Sequence, residues 1–591
     1  MVKVETVVER VVQTCAVLLA ALYLVTGVAY LCLDYWPVTR MDFWRLYEIC
    51  LTHSWWQSAI LKFNGHSLFF PSFIWLADLH FFQGNQAVIS YVSLALLILS
   101  TLGFLLPIWG DGFVDLTNKI MATLMIVAAS FWMGRGSITV SGGFACMNSL
   151  VVVSLAGALL VFWKGGSILW RDIALVACAG YVASFSFGTG LAIWPCLILL
   201  GWCLRMPWRN LGVLGVGALG AGLIFHYLPP HSPTFAHAGS GSSPGEMLLQ
   251  ILENFSRLLG APIFYSVLAW RGVESTAEIV RSSGWLLWSG ALGMACASVL
   301  VVLSLVRRKP RENSLEFMGL GLVSFSLAAF LLIVAGRLDY FHKMPAQLAA
   351  QRYLFWSSLF WVGLILMAMG VMPGRGWWRR SCIFLIFAAA LFAWPAHRKE
   401  GLRWRYSRLL TEQAVTSLLN GVQDSQGLLF RDPRQIDLLA PKLRSRRLDM
   451  YAEGLQDWIG QPASTLFQQS QRNRFRGEAH LELIENQAAR IKGQAFIGKG
   501  KVPPTMVILK PDGTIVGIAR SFATNRFLDW ALFGDKMPYA PIFGYIRQYD
   551  PKVSYVIRSA NGNEMSDSAI NLKAPSVGPL DLEDIPNRAS P

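Results

Sequence analysis

The sequence predicts a polytopic α-helical membrane protein that ends in an extracytoplasmic, mainly-β domain. Three observations predict it. About eleven apolar runs between residues 11 and 396 are each long enough to cross a hydrocarbon layer of about 30 Å. Lys and Arg cluster in every second connection between those runs. After residue 397 the pattern turns to charged helix and then to short alternating runs around turn residues. Composition agrees: with 54% apolar residues, a mean hydropathy of +0.43 and only 15% charged residues, the chain is more apolar than a soluble one, where charged residues run at ~25%.

The expected spans are 11–33, 86–108, 116–134, 145–163, 171–187, 189–204, 210–229, 284–306, 316–336, 353–373 and 381–396. Lys164 with Arg171, Arg205 with Arg209, Arg307 to Arg311, and Arg375 with Arg379 and Arg380 then share one side. Basic connections stay on the cytoplasmic side, which also receives the N-terminus. The odd number of crossings sends everything beyond 397, and the loops 34–85, 135–144, 230–283 and 337–352, to the other face. No Ala-x-Ala site follows the first run, so 11–33 reads as a retained anchor. The localisation expected is a bacterial inner membrane with a periplasmic C-terminal domain.

The formal charge of +15 could suggest nucleic acid, but much of the excess sits in the connections expected on the cytoplasmic side, where anionic lipid favours it. Membrane lipid is therefore an expected partner and nucleic acid is not. All nine Cys precede residue 397, mostly inside spans, with no metal-ligand spacing, so they read as small apolar packers. No metal or other cofactor is required by this pattern.

Residues 1–396 form the membrane domain, 397–480 a helical neck, 481–580 a β-sandwich-like module and 581–591 a loose tail; the polar, Pro-containing character of that tail already sets in at 564. Two outer loops, 34–85 and 230–283, are far longer than ordinary connections. In the first, residues 41–60 read as one amphipathic helix with Phe43, Leu46, Tyr47 and Cys50 on its apolar side. Ser67 to Phe82, after the Asn64-Gly65-His66 turn, is too short to cross and reads as re-entrant or interfacial. In the second, 229–245 is Pro/Gly/Ser-rich and Glu246 to Leu259 resumes as a helix. Strands are expected at Gln494–Ile497, Thr505–Lys510, Thr514–Arg520 and Val553–Arg558, with Asp512-Gly513 and Asn561-Gly562 as hairpin signals.

An ionisable residue near the membrane needs a partner or a task. The outer-side set contains Asp34, Asp42, Arg45, Glu48, Lys62, Asn64, His66, Asp78, Arg135, Arg337, Asp339, His342, Lys343 and Arg352. A carboxylate beside an acceptor hydroxyl, with guanidinium or ammonium groups holding a phosphate, suits glycosyl transfer from a lipid phosphate. Each residue also has a plainer reading. Asp42 and Arg45 could be an i, i+3 surface pair. Asp34 could end a helix, His66 could serve a turn, and Arg352 could snorkel. Arg375, Arg379 and Arg380 read as topology determinants.

Four stretches together carry a resemblance: Met41-Asp42-Phe43-Trp44-Arg45, Asn64-Gly65-His66-Ser67-Leu68-Phe69-Phe70-Pro71, Gly188-Thr189-Gly190-Leu191 with Trp194-Pro195, and Arg352-Tyr353. They resemble the GT-C superfamily of polyprenyl-phosphate-sugar glycosyltransferases, in an uncharacterised bacterial branch, over roughly residues 1–396. The resemblance implies a GT-C-like fold and an inverting transfer outside the cytosol. Its donor would be a polyprenyl-phosphate sugar and its acceptor a glycan or lipid-linked glycan of the cell envelope or an exopolysaccharide. The catalytic base implied is Asp42, with Asp34 in reserve. Arg352, Arg337, Lys343 and Arg135 would bind the donor phosphate, and Arg45, Glu48, Asn64, His66, His342 and Tyr353 the substrates. Asp42 is followed by Phe43 rather than by a second acid, which gives a metal no support. The Ile491 to Ala495 and Asp512 to Gly517 stretches resemble β-modules attached to such enzymes. A polysaccharide polymerase or ligase, a membrane acyltransferase built on His66, and a transporter or flippase are the rival readings.

Overall fold

The structure, a computed structural model, describes residues 2–33, 38–136, 142–164, 168–230, 244–274, 276–307, 312–371, 376–425, 429, 433–470, 475–484, 487–497, 503, 505–521 and 541–573. Two compact units emerge: Met1–Pro37 with Arg45–Arg405, and Val38–Trp44 with Tyr406–Pro591.

The first unit is helical. Nine helices among the described residues are long and apolar enough to cross a membrane. They include α1 (Val2–Leu33), α5 (Ala87–Gly110), α6 (Leu116–Phe131), α7 (Gly142–Trp163), α10 (Trp208–Tyr227), α13 (Gly284–Arg307), α14 (Ser314–Lys343), α15 (Gln351–Val371) and α16 (Gly376–Leu419). Two of the eleven expected spans are shorter: α8 (Trp170–Ser184), and a 3-10 turn at Gly188–Ala192 running into α9 (Ile193–Cys203). Trp194 explains the break between them. Its indole donates to Ser184 Oγ at 2.9 Å, and Gly180 and Gly217 present bare backbone to its ring.

Side-chain caps fix several starts. Asp115 accepts from the Asn118 amide ahead of α6, and Asn313 from the Leu315 and Glu316 amides ahead of α14. One end of this unit is pinned by polar ties: Arg379 pairs with Glu9 and Asp115, the Ser314 amide donates to Asp111, and Ser304 donates to Glu316. The starts of α1, α6, α14 and α16 thus lie together with the ends of α5 and α13.

The loop after α1 departs from the expected single helix. It forms α2 (Phe43–Thr52) and α3 (Trp55–Ile60), parted by Ser54, whose capping box with Gln57 starts the second piece. Phe43, Leu46, Tyr47 and Cys50 are buried as the apolar face requires. Next come a two-residue hairpin, β1 (Lys62–Phe63) and β2 (His66–Ser67), and α4 (Phe69–Phe81), which at 13 residues is no span. The later helix expected at Glu246–Leu259 extends as α11 over Pro244–Arg271, followed by the short α12 (Ala277–Ser282). Apolar residues Ala261, Phe264 and Leu268 keep burying that helix past its expected end. Most of the Pro/Gly/Ser-rich stretch lies outside the described residues.

In the second unit α16 continues to Leu419, then α17 (Pro433–Ser445) and α18 (Ala463–Leu466) lead to a sheet. In place of the two layers of a sandwich, its nine strands form one sheet: β3 (Gln468–Ser470), β4 (Phe475–Ile484), β5 (Ala488–Ile497), β6 (Thr505–Leu509), β7 (Ile515–Ser521), β8 (Pro541–Ile546), β9 (Val556–Asn561), β10 (Glu564–Ser566) and β11 (Ile570–Asn571). The order is β3-β10-β9-β6-β7-β8-β5-β4, with β11 also on β9. His480 of β4 pairs with Lys573 just past β11, so the sheet curls back on itself. Ile491, Ile508, Ile542 and Ile557 fill its inside. The turns at Asp512-Gly513 and Asn561-Gly562 are hairpins as expected. Strand structure begins inside the expected neck, at Gln468, and residues 564–571 are paired strand rather than loose end, because β10 and β11 cover β9.

Candidate functional site

The site is built where the hairpin β1–β2 meets the ends of α14 and α15. Asn64 (φ 49°) and Gly65 (φ 77°) are both left-handed, the requirement of a two-residue turn that matches strand twist, so an Asn-Gly pair sets the register Phe63↔His66. Lys62 fastens this hairpin: its Nζ donates to the Phe225 and His226 carbonyls at the end of α10, and its amide to the Pro229 carbonyl at 2.8 Å. His66 is thereby held beside the Gly188 turn. Its ring lies tilted against that of Phe187, with centroids 4.3 Å apart. A Cβ on Gly188 would stand 2.5 Å from His66 Nδ1, so only glycine leaves the ring its place. Gly190 is equally constrained, against the Ala183 carbonyl.

Helix α14 breaks at Arg337 (φ −141°, ψ 23°), directly after Gly336. Arg337 Nη2 lies 3.1 Å from His66 Nε2 and its Nη1 donates to the Tyr353 hydroxyl at 2.7 Å. Arg352, in the first turn of α15, donates from Nη2 to Gln347 Oε1 at 2.7 Å and to the Tyr340 hydroxyl at 3.2 Å. Its guanidinium also lies 5.0 Å from the Tyr353 ring centre. The result is a chain from His66 through Arg337 and Tyr353 to Arg352 and Tyr340.

Two electrostatic facts define this chain. A guanidinium only donates, so His66 Nε2 must accept and the ring proton sits on Nδ1. Burial, then Arg337 and Arg352, push the His66 pKa down to about 3, so the ring is neutral at working pH. Second, every partner of the two arginines is a neutral acceptor, and among the described residues no carboxylate pairs with either. Arg352 Nε is buried and unbonded there as well. Two positive charges therefore stand uncompensated, at half-buried positions where screening is weak.

Of the other expected site residues, Arg135 is 1% exposed, with its guanidinium 4.6 Å from the Phe355 ring and Nε donating to the Trp132 carbonyl at 3.3 Å. It faces α15 one turn beyond Arg352 and shares no hydrogen bond with the chain. His342 and Lys343 are exposed on the last turn of α14, and no hydrogen bond or ion pair joins them to it. Asn64 is exposed and serves the turn. Arg45 and Glu48 are half-buried on α2, each with a partner. Asp34 lies outside the described residues. Asp42 belongs to the second unit, half-buried and partnered, on a segment that the Thr39 amide ties to Asp449 at 2.8 Å and the Met41 amide to the Leu429 carbonyl at 3.0 Å.

Sequence reasoning missed Tyr340 and Gln347, which lie in Arg352's own neighbourhood, and the role of Gly188, although its motif was visible. It also missed the task of Asp78. That residue is fully buried on α4, and its Oδ2 accepts from the Tyr47 hydroxyl at 3.0 Å and the Gln86 amide at 3.2 Å, tying α4 to α2 and to the start of α5. Burial raises its pKa to about 6, partly offset by those two donors. Among the described residues, no group of His, Cys, Asp and Glu is arranged to hold a metal ion.

In sequence the chain matches no family model and no curated protein. Among solved structures it is similar to the archaeal oligosaccharyltransferase AglB from Archaeoglobus fulgidus, solved with an inhibitory peptide and a dolichol-phosphate. The identity is 14% and the TM-score 0.35, over 70% of this chain and 58% of that one, so this chain spans well under two thirds of the neighbour's length. Nothing about the site is carried over from that likeness.

Proposed function

We propose that the protein is an inverting membrane glycosyltransferase that takes a sugar from a polyprenyl-phosphate donor and gives it to a cell-envelope or exopolysaccharide glycan outside the cytosol. The observation that carries this reading is the pair Arg337 and Arg352, two cations that pair with no carboxylate among the described residues, at the edge of a set of apolar helices. A lipid-borne phosphate complements both features at once. In the transfer, an acceptor hydroxyl forms the new bond to the anomeric carbon while the bond from that carbon to the phosphate oxygen breaks. The electron pair leaves with the polyprenyl phosphate, whose growing charge the guanidinium groups stabilise. The acceptor proton goes to a carboxylate, for which Asp42 is the candidate by its place in the sequence motif, with Asp34 in reserve.

His66 acts as a positioning residue in this scheme. Its one free lone pair is engaged by Arg337, which also argues against an acyltransferase using His66 as base. Two guanidinium groups could equally hold the diphosphate of a polymerase or ligase substrate, and dependence on Asp42 separates that reading. The test is sugar transfer by purified full-length protein in lipid, with a polyprenyl-phosphate sugar and cell-envelope glycan as acceptor. Wild type transfers sugar, and Asp42→Asn loses ~10²–10⁴-fold in turnover while binding donor normally. Wild-type turnover in Asp42→Asn removes the base, and unchanged turnover in Arg352→Ala removes the donor site.

A further inference from the structure

At the opposite end of the helical unit from His66, a cavity of about 270 Å³ opens between α9, α10 and α13. Trp202, Cys203, Arg205, Met206, Trp208, Leu211 and Leu305 line it. The end is fixed by Leu305, one residue past Ser304, which bonds Glu316 in the first turn of α14. Among the described residues that line it, Arg205 is the charged side chain and the others are Trp, Cys, Met and Leu. Trp208 is 81% exposed and Trp202 44% exposed, so two indoles flank the opening at the height where helices end.

We propose that this cavity is a binding site for an anionic phospholipid, with its phosphate on Arg205 and an acyl chain along Trp202, Met206, Leu211 and Leu305. Charge complementarity selects the occupant. A zwitterionic lipid brings its own cation to the rim, whereas a singly anionic head group leaves its phosphate charge to Arg205 and the neighbouring Arg209. Indoles at a helix end belong at the head-group level, which sets the phosphate and Arg205 at one depth. The bond of Arg205 to phosphate would be charge-assisted. The site is distinct from the His66 chain and does not depend on what that chain does.

Arg205 also offers a clean variant. It sits in the left-handed region (φ 54°) after α9, where its amide donates to the Trp202 carbonyl and the Met206 amide to the Gly201 carbonyl. Glycine is the residue that prefers this conformation, so Arg205→Gly keeps or improves the fold while deleting the charge. The experiment titrates the delipidated full-length protein in detergent with phosphatidylglycerol and with phosphatidylcholine of identical chains, reading thermal stabilisation and lipid retained in native mass spectra. Wild type is expected to bind phosphatidylglycerol at least ~10-fold more tightly than phosphatidylcholine, the scale of one charge-assisted hydrogen bond. Arg205→Gly should lose that preference without loss of intrinsic stability, and Arg205→Lys should keep part of it. A wild type with no preference, or a preference that survives in Arg205→Gly, overturns the proposal.

Discussion

Two arginine centres in this molecule differ in one respect, and the difference separates structure from site. In the second unit, buried Arg490 of β5 grips Asp424, with Nε at 2.7 Å and Nη2 alongside, and donates from Nη1 to Glu482 at 2.9 Å. Tyr545 adds a hydroxyl to Asp424 at 2.6 Å. Burial works against the charge on Arg490, but Asp424 outweighs it and holds the guanidinium above its usual range. Burial and Asp424 together push the Tyr545 phenol up. Every charge there is answered within the unit, and the network joins β4, β5 and β8 to the stretch after α16. In the first unit, among the described residues, Arg337 and Arg352 are answered by His66, Tyr353, Tyr340 and Gln347, with no carboxylate. A compensated cation builds a fold, and an uncompensated one awaits an anion.

The largest effect that could break this comparison is Arg490→Ala. It takes the guanidinium away from buried Asp424 and should cost the second unit ~3–5 kcal/mol. Hydrogen exchange along β5 and β8 of the full-length protein should accelerate, with donor binding unchanged. A silent Arg490→Ala would mean that compensation is not what holds the sheet.

Next is Asp78. Its folded pKa, near 6, lies above the ordinary 3.8, so the folded state binds the proton more tightly. The stability this provides is full below about 3.8, is lost as pH rises towards 6, and amounts to ~3 kcal/mol at most. Asp78→Asn should therefore stabilise the protein at pH 7 and flatten the change between pH 4 and 6. His66 works in the opposite direction: with a folded pKa below its ordinary 6.5, it favours the fold above that pH and loses this as pH falls. A His66→Asn variant should lose less stability than wild type on going from pH 7 to pH 5. Melting temperatures across that range check both signs.

Smaller again is Gly188→Ala, which pushes the His66 ring off its place and, through Arg337, loosens the proposed donor site. We expect turnover to fall ~10-fold with the melting temperature little changed, and His66→Ala to add little on top, as coupled residues do. Smallest is Arg337→Ala in stability alone. Its partners are neutral groups, so it should cost only ~1 kcal/mol, well below Arg490→Ala.

How much of this could be read from the chain follows from the range of the signals. The spans were legible because apolar length is local, and the Asn64-Gly65 hairpin because a two-residue turn states its own geometry. Arg352-Tyr353 and Arg337 were legible as charges near span ends. The link from Arg337 to His66 crosses 271 residues, and no local pattern encodes it. Asp78 was visible as an ionisable residue in an apolar stretch, but its partners Tyr47 and Gln86 look like ordinary helix residues in sequence. Arg490 and Asp424, 66 residues apart, were invisible for the same reason. The break of α2 from α3 was overlooked although Ser54 and Gln57 spell a capping box.

Arg337 and Arg352, which pair with no carboxylate among the described residues, are proposed to hold a lipid phosphate. This proposal is tested most directly by equilibrium binding of a polyprenyl phosphate and the matching uncharged polyprenol to the full-length protein in nanodiscs of neutral lipid. Wild type should prefer the phosphate by at least ~10-fold. Arg352→Lys should keep part of that preference, since a point charge loses the fork but not the attraction, and Arg337→Ala/Arg352→Ala should lose it entirely. Equal binding of the two lipids by wild type, or a phosphate preference that survives in the double variant, would show that these arginines hold no lipid phosphate.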